Sequence, residues 1–229
     1  MKDNLLDGYG VDMVMCIDVT CAMSPIIGKI NEYARSIYGK FVKAMEEEGK
    51  SVCRFRIRVI GFRDFKFDAK PIVDSGKFFL LPDDNKEFEC FVRVLQAEGG
   101  GDTPESSLEA IALALKSKWT NECSRQRHII LVLTDAPAHS LGCGSDSVHY
   151  PDGMPVDLAE LGRWWDEGVP NGSYKPESGR LVVFAPEFYP WNEMVLWNQY
   201  WHAPCRAGSG LIDLEFEEII DLLAGVVLS

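Results

Sequence analysis

The chain has 229 residues, is 46% hydrophobic and carries a formal net charge of −12 at pH 7. That size and apolar fraction suit one α/β domain whose core is large enough to need no disulfide staples. The acidity argues against nonspecific nucleic-acid binding and against docking on anionic lipid, both of which need a basic surface, and no stretch approaches the roughly twenty apolar residues of a membrane span. There are seven cysteines, an odd number, with no C-x-x-C pair, a pattern that fits a reducing compartment. With no signal-peptide pattern in Met1–Gly10, the expected location is the cytoplasm.

Residues 1–10 read as a lead-in and residues 11–229 as the domain. Residues 11–18 form a near-continuous apolar run, Val14, Met15, Cys16 and Ile17, expected for a strand buried on both faces. Ser24 and Pro25 signal a helix start. Ile26, Ile27, Ile30, Tyr33, Ala34, Ile37, Phe41 and Met45 then recur at helical spacing up to a stop at Gly49. From Val52 to Phe62, Phe55, Ile57 and Val59 alternate with Arg54, Arg56 and Arg58, which predicts a second strand with one partly solvated side. A short strand is expected over 77–81 and a helix capped by Asp83 or Asp84 through Leu95.

Gly99, Gly100 and Gly101 precede Asp102, Thr103, Pro104 and Glu105. The glycines permit positive φ or a close backbone approach, and Pro104 suits the start of a helix carrying Leu108, Ile111, Ala112, Leu115 and Trp119. Asp102, Thr103 and Glu105 would then cluster at a helix N-terminus, where capping is one sufficient explanation. His128–Thr134 predicts another buried strand, followed at once by Asp135. Residues 136–154 read as a loop. Val156–Gly168 reads as a helix, 181–185 as a strand, Trp191–Trp201 as a short aromatic helix, 211–214 as a last strand and Glu215–Leu228 as a closing helix. Alternating strands and helices predict a doubly wound, mostly parallel sheet in one domain.

In such a sheet, ligands bind beyond the carboxyl ends of the strands. Asp18 ends the first strand, with Thr20 two positions on, and Asp135 ends a later one. Acids placed directly after buried strands would crowd and repel one another without a cation among them. Carboxylate and hydroxyl oxygens are hard donors of the kind that Mg²⁺ or Mn²⁺ takes.

The series Asp18-x-Thr20, then Gly99 to Glu105, then Thr134-Asp135-Ala136, resembles a von Willebrand factor type A domain from about Val11 to the chain end. The similarity is to the integrin-β and hemicentin-like members: Asp102-Thr103-Pro104-Glu105 matches their Asp-x-Pro-Glu loop, and Asp135-Ala136-Pro137-Ala138-His139 matches their Asp-Ala-x-x-His. Gly61 to Phe65 resembles the strand-end signature of bacterial intracellular members. The resemblance implies a metal-ion-dependent adhesion site holding Mg²⁺, with Asp18, Thr20, Glu105 and Asp135 as its shell and Asp102 and Thr103 alongside. It also implies a protein partner that completes the shell with an Asp or Glu carboxylate. The family motif places a hydroxyl at the position of Ala22, so this shell has one protein ligand fewer, which leaves a weaker site with an extra water or a metal-free scaffold that uses the same face.

His139, Cys143 and His149 share a loop, but they match no common zinc spacing and lack a fourth ligand. Cys21 reads as a small residue at a tight turn. Arg63 and Asp64 are expected either to pair at the rim or to shape the partner surface through Asp64. Five tryptophans in the C-terminal half read mostly as packing between helices and sheet. There is no phosphate-binding Gly-x-x-x-x-Gly-Lys-Ser/Thr loop and no Gly-x-Ser-x-Gly elbow, so a non-enzyme is expected. A metal held by carboxylates can activate water, which leaves metal-dependent phosphohydrolysis as a further alternative.

Overall fold

The computed structural model describes residues 5–101 and 103–229. Its central strand, β1 (Leu6–Asp18), alternates so that Val11, Met13, Met15 and Ile17 enter one core and Val14 and Cys16 the other, all almost fully buried. The strand starts at Leu6, ahead of the apolar run, because it already pairs with one neighbour at Leu6 and pairs with both from Tyr9 onward. The other strands are β2 (Val52–Phe62), β3 (Ile72–Asp74), β4 (Phe79–Leu81), β5 (Cys123–Leu133), β6 (Gly179–Ala185) and β7 (Tyr200–Pro204). The described residues form a seven-stranded sheet in the order β3-β2-β1-β5-β6-β7, with β4 also on β2. β3 and β4 run antiparallel to β2, and the remaining pairs are parallel.

Helices α1 (Ser24–Tyr33), α2 (Ile37–Glu47), α3 (Asn85–Val92) and α6 (Phe216–Leu228) cover one face, while α4 (Ser107–Leu115) and α5 (Leu158–Glu167) cover the other. The expected long helix is broken into α1 and α2. At the break the Ser36 amide and hydroxyl both donate to the Tyr33 carbonyl, at 2.9 and 3.2 Å, a local bond that competes with the helical ladder. All the same, Ile26, Ile27, Ile30, Ala34, Ile37, Phe41 and Met45 are buried as the spacing predicted.

β2 has the predicted bounds. Its arginines are paired rather than loosely solvated: Arg54 with Glu122, Arg56 bidentate to the fully buried Asp12, and Arg58 to Asp74. Three expectations are corrected. Trp191–Trp201 is not an aromatic helix but a single 3₁₀ turn (Met194–Leu196) leading into β7. Residues 211–214 are turn, not strand, with Leu211 at φ 53°. Asp84 does not cap α3 with its side chain; its carboxylate accepts from the Leu80 amide at 2.8 Å instead.

Candidate metal centre

β1 and β5 lie side by side, with Ile17 opposite Leu133, so their C-terminal ends bring Asp18 next to Thr134 and Asp135. Asp18 is fully buried. Its Oδ1 accepts from the Thr20 amide at 3.0 Å and the Thr20 hydroxyl at 2.7 Å, and its Oδ2 accepts from the Thr134 hydroxyl at 2.8 Å. Burial is the largest cause that pushes the Asp18 carboxyl up to about 6; these three hydrogen bonds oppose the shift, and the charge of Asp135 adds to it.

The glycine loop closes over this pair. Gly99 and Gly100 sit at φ 74° and 85°, and a Cβ on Gly100 would lie 3.0 Å from the Thr20 Cβ. Only glycine takes that backbone without strain in so small a space. The loop is held by Arg63, which is buried and donates to four backbone carbonyls: Val19 at 3.2 Å, Glu98 at 2.7 Å, Lys70 at 2.7 Å and Gln96 at 2.9 Å. It therefore ties the end of β1 to the loops after β2 and α3. Neither expectation for Arg63 and Asp64 holds. Asp64 is fully buried, so it shapes no surface; it accepts from the Lys66 amide at 2.7 Å and lies 3.1 Å from His139 Nε2.

Glu105 is not in the first turn of α4, which begins at Ser107, and the N-cap Ser106 makes no side-chain capping bond. Instead the Glu105 amide donates to the Pro137 carbonyl at 3.0 Å, and its carbonyl accepts from the His139 amide at 2.9 Å. This short bridge pins the lead-in of α4 to the loop after β5 and brings Glu105 to the cavity that Asp135 lines. Asp135 Oδ2 accepts from the Gly210 amide at 2.6 Å, which closes the 206–210 loop beside it. The result is a cavity of about 290 Å³ lined by Thr20, Ala22, Thr103, Glu105 and Asp135 together with the glycine loop. Asp18 reaches it through Thr20. Asp102 lies outside the described residues.

The donors on this cavity are hydroxyl and carboxylate oxygens, the chemistry a hard divalent cation takes. Thr20 spends its hydroxyl proton on Asp18 and so keeps its lone pairs for another partner. Among the described residues no group of three or more His, Cys, Asp or Glu side chains is arranged to hold a metal ion. Gly210 was missed from the sequence, and Thr134 and Arg63 were singled out there without the roles the structure gives them. Thr134 had a readable signal, as a hydroxyl one position before a strand-end acid, whereas Arg63 and Gly210 act through backbone contacts that no local pattern announces.

This arrangement is a mostly parallel sheet flanked by helices, with Asp18, Thr20, Glu105 and Asp135 at the carboxyl ends of its central strands. A family profile described as von Willebrand factor A domain matches residues 12–143, more than half of the chain, and the chain belongs to that family. It is 27% identical over 145 residues to the alpha-protein kinase vwkA of Dictyostelium discoideum, in a match that covers 63% of this chain and 21% of the kinase. The pilus adhesin SpaC from Lactobacillus rhamnosus GG, in its open conformation, superposes with a TM-score of 0.56 at 9% identity, over 96% of this chain and 30% of the adhesin. A second form of the same adhesin gives 0.55 at 10% identity. The structural likeness is one of fold. The chain spans roughly a fifth of the kinase's length and under a third of the adhesin's.

Proposed function

We propose that the chain is a metal-dependent protein-binding module that engages an Asp or Glu carboxylate of its partner at the carboxyl edge of the sheet. The observation that carries this reading is the convergence of Thr20, Thr103, Glu105 and Asp135 on one cavity, with Asp18 buried against Thr20. The residues that would hold Mg²⁺ or Mn²⁺ are Asp18, Thr20, Glu105 and Asp135, with Thr103 beside them. The cation would supply the positive charge that makes an incoming carboxylate a charge-assisted ligand rather than a desolvated anion. Ala22 lines the cavity with a methyl where a hydroxyl would add a ligand, so water fills more of the shell and affinity is modest. The family's frequent use as an interaction module supports the reading. A cytoplasmic setting belongs to the same proposal, and no helix among the described residues is long and apolar enough to cross a membrane.

The test is capture of partners on immobilised protein in Mg²⁺ and in chelator. The expected result is a partner retained only with Mg²⁺ and lost with Asp135→Ala. Retention that ignores chelator makes the module a metal-free scaffold. Phosphoester turnover that disappears with chelator and with Asp18→Ala makes it a hydrolase.

A further inference from the structure

At the opposite edge of the sheet, two cysteines meet where regular geometry would keep them apart. Cys53 lies on β2 and Cys123 on β5, and β1 runs between these strands. Strands separated by one neighbour are roughly 9.6 Å apart in a regular sheet, beyond the reach of two thiols. Here the sulphurs are 2.7 Å apart, inside the sum of two sulphur van der Waals radii. Two sequence features bring them together. The pairing of β1 with β2 shifts between Tyr9 and Gly10, so that Tyr9 faces Val52 and Gly10 faces Arg54, which leaves Cys53 as the extra residue of a bulge. Gly10 then supplies no side chain to separate the strands: a Cβ there would lie 2.6 Å from the Cys123 sulphur. The adjoining residues Arg54 and Glu122 form an ion pair across the same gap.

We propose that Cys53 and Cys123 are an oxidisable dithiol that forms a disulfide across β1, with a small-molecule disulfide as oxidant. Cys53, the more exposed of the two, attacks one sulphur of the oxidant as thiolate and releases one small thiolate. The Cys123 thiolate then attacks the Cys53 sulphur, forms the protein disulfide and releases the second. The protons of the two protein thiols end on the two small thiols, so one disulfide is reduced as one is made. Bond formation closes the sulphurs from 2.7 Å to about 2.05 Å, a displacement well under about 1 Å. Burial pushes the Cys123 thiol up to about 12, so the second step is the slow one.

The bond would join positions 70 apart in sequence. The test is incubation of the whole chain with oxidised glutathione, followed by non-reducing peptide mapping, thiol counting in denaturant and thermal melting. The expected result is a Cys53–Cys123 cross-linked peptide, a loss of two thiols, and a rise in Tm on the order of 10 °C. Cys53→Ser and Cys123→Ser should each abolish the rise, while Cys90→Ser keeps it. Glutathione left as a stable adduct on Cys53, a bond to any other cysteine, or an intermolecular bond alone would overturn the proposal.

Discussion

Asp18, Thr20 and Asp135 were legible because they stand where an apolar strand run breaks off, and Glu105 because it follows a glycine run at an expected helix start; in an α/β chain the strand-end breaks fall on one edge of the sheet. What the pattern could not show is how their neighbours tune them. Glu109 is one such case, fully buried in the first turn of α4. Its Oε1 accepts from the Gly142 amide at 3.2 Å and the Tyr150 hydroxyl at 3.1 Å, while Oε2 has no hydrogen-bond partner among the described residues. Burial pushes its carboxyl up to about 7, against these hydrogen bonds and with help from Asp64. A carboxyl whose folded pKa lies above its unfolded value holds its proton more tightly when folded. Its stabilising share is therefore full below pH 4.5 and is lost as pH rises through about 7. Glu109→Gln should remove this slope and leave the protein more stable at pH 8 by up to about 3 kcal/mol, with little gain at pH 4.5. Urea midpoints of both proteins across that range check it, and an equal gain at both ends would contradict it. Ala22→Ser restores a hydroxyl on the cavity and should tighten Mg²⁺ binding by about tenfold, the effect of one more oxygen ligand.

At the scale of elements, periodicity was a good guide where both faces of a strand or one stripe of a helix meet a core, as in β2 and α6. It failed at β7, where Tyr200, Trp201 and His202 are only partly buried at the sheet edge and their aromatic run has no clear period. It also failed between α1 and α2, where a local Ser36 bond ends a helix whose apolar spacing continues through the break. The element that most depends on one residue is the glycine loop. Arg63→Met removes a guanidinium that donates to four backbone carbonyls and leaves those acceptors buried. It should cost about 2–4 kcal/mol and raise hydrogen exchange at Gln96–Gly100 ahead of the rest of the sheet. A loss spread evenly over the molecule would contradict a local clamp. Gly210→Ala should cost about 1–3 kcal/mol, because the residue sits at φ 62° and a Cβ there would collide with the Ala22 carbonyl oxygen.

For the molecule as a whole, the two edges of one sheet have separate chemistry. The carboxyl edge gathers oxygen donors around a cavity, while the opposite edge brings two thiols together across β1. A net charge of −12 would repel an acidic partner at long range, and in the proposed function a cation at the point of contact would offset that repulsion. The account's central claim is therefore most directly tested by calorimetric titration of Mg²⁺ and Mn²⁺ into the intact chain and into Asp135→Ala. The account predicts one binding event in the wild type, stronger for Ala22→Ser and absent in Asp135→Ala. No heat of binding in the wild type, or an affinity that Asp135→Ala leaves unchanged, would contradict it.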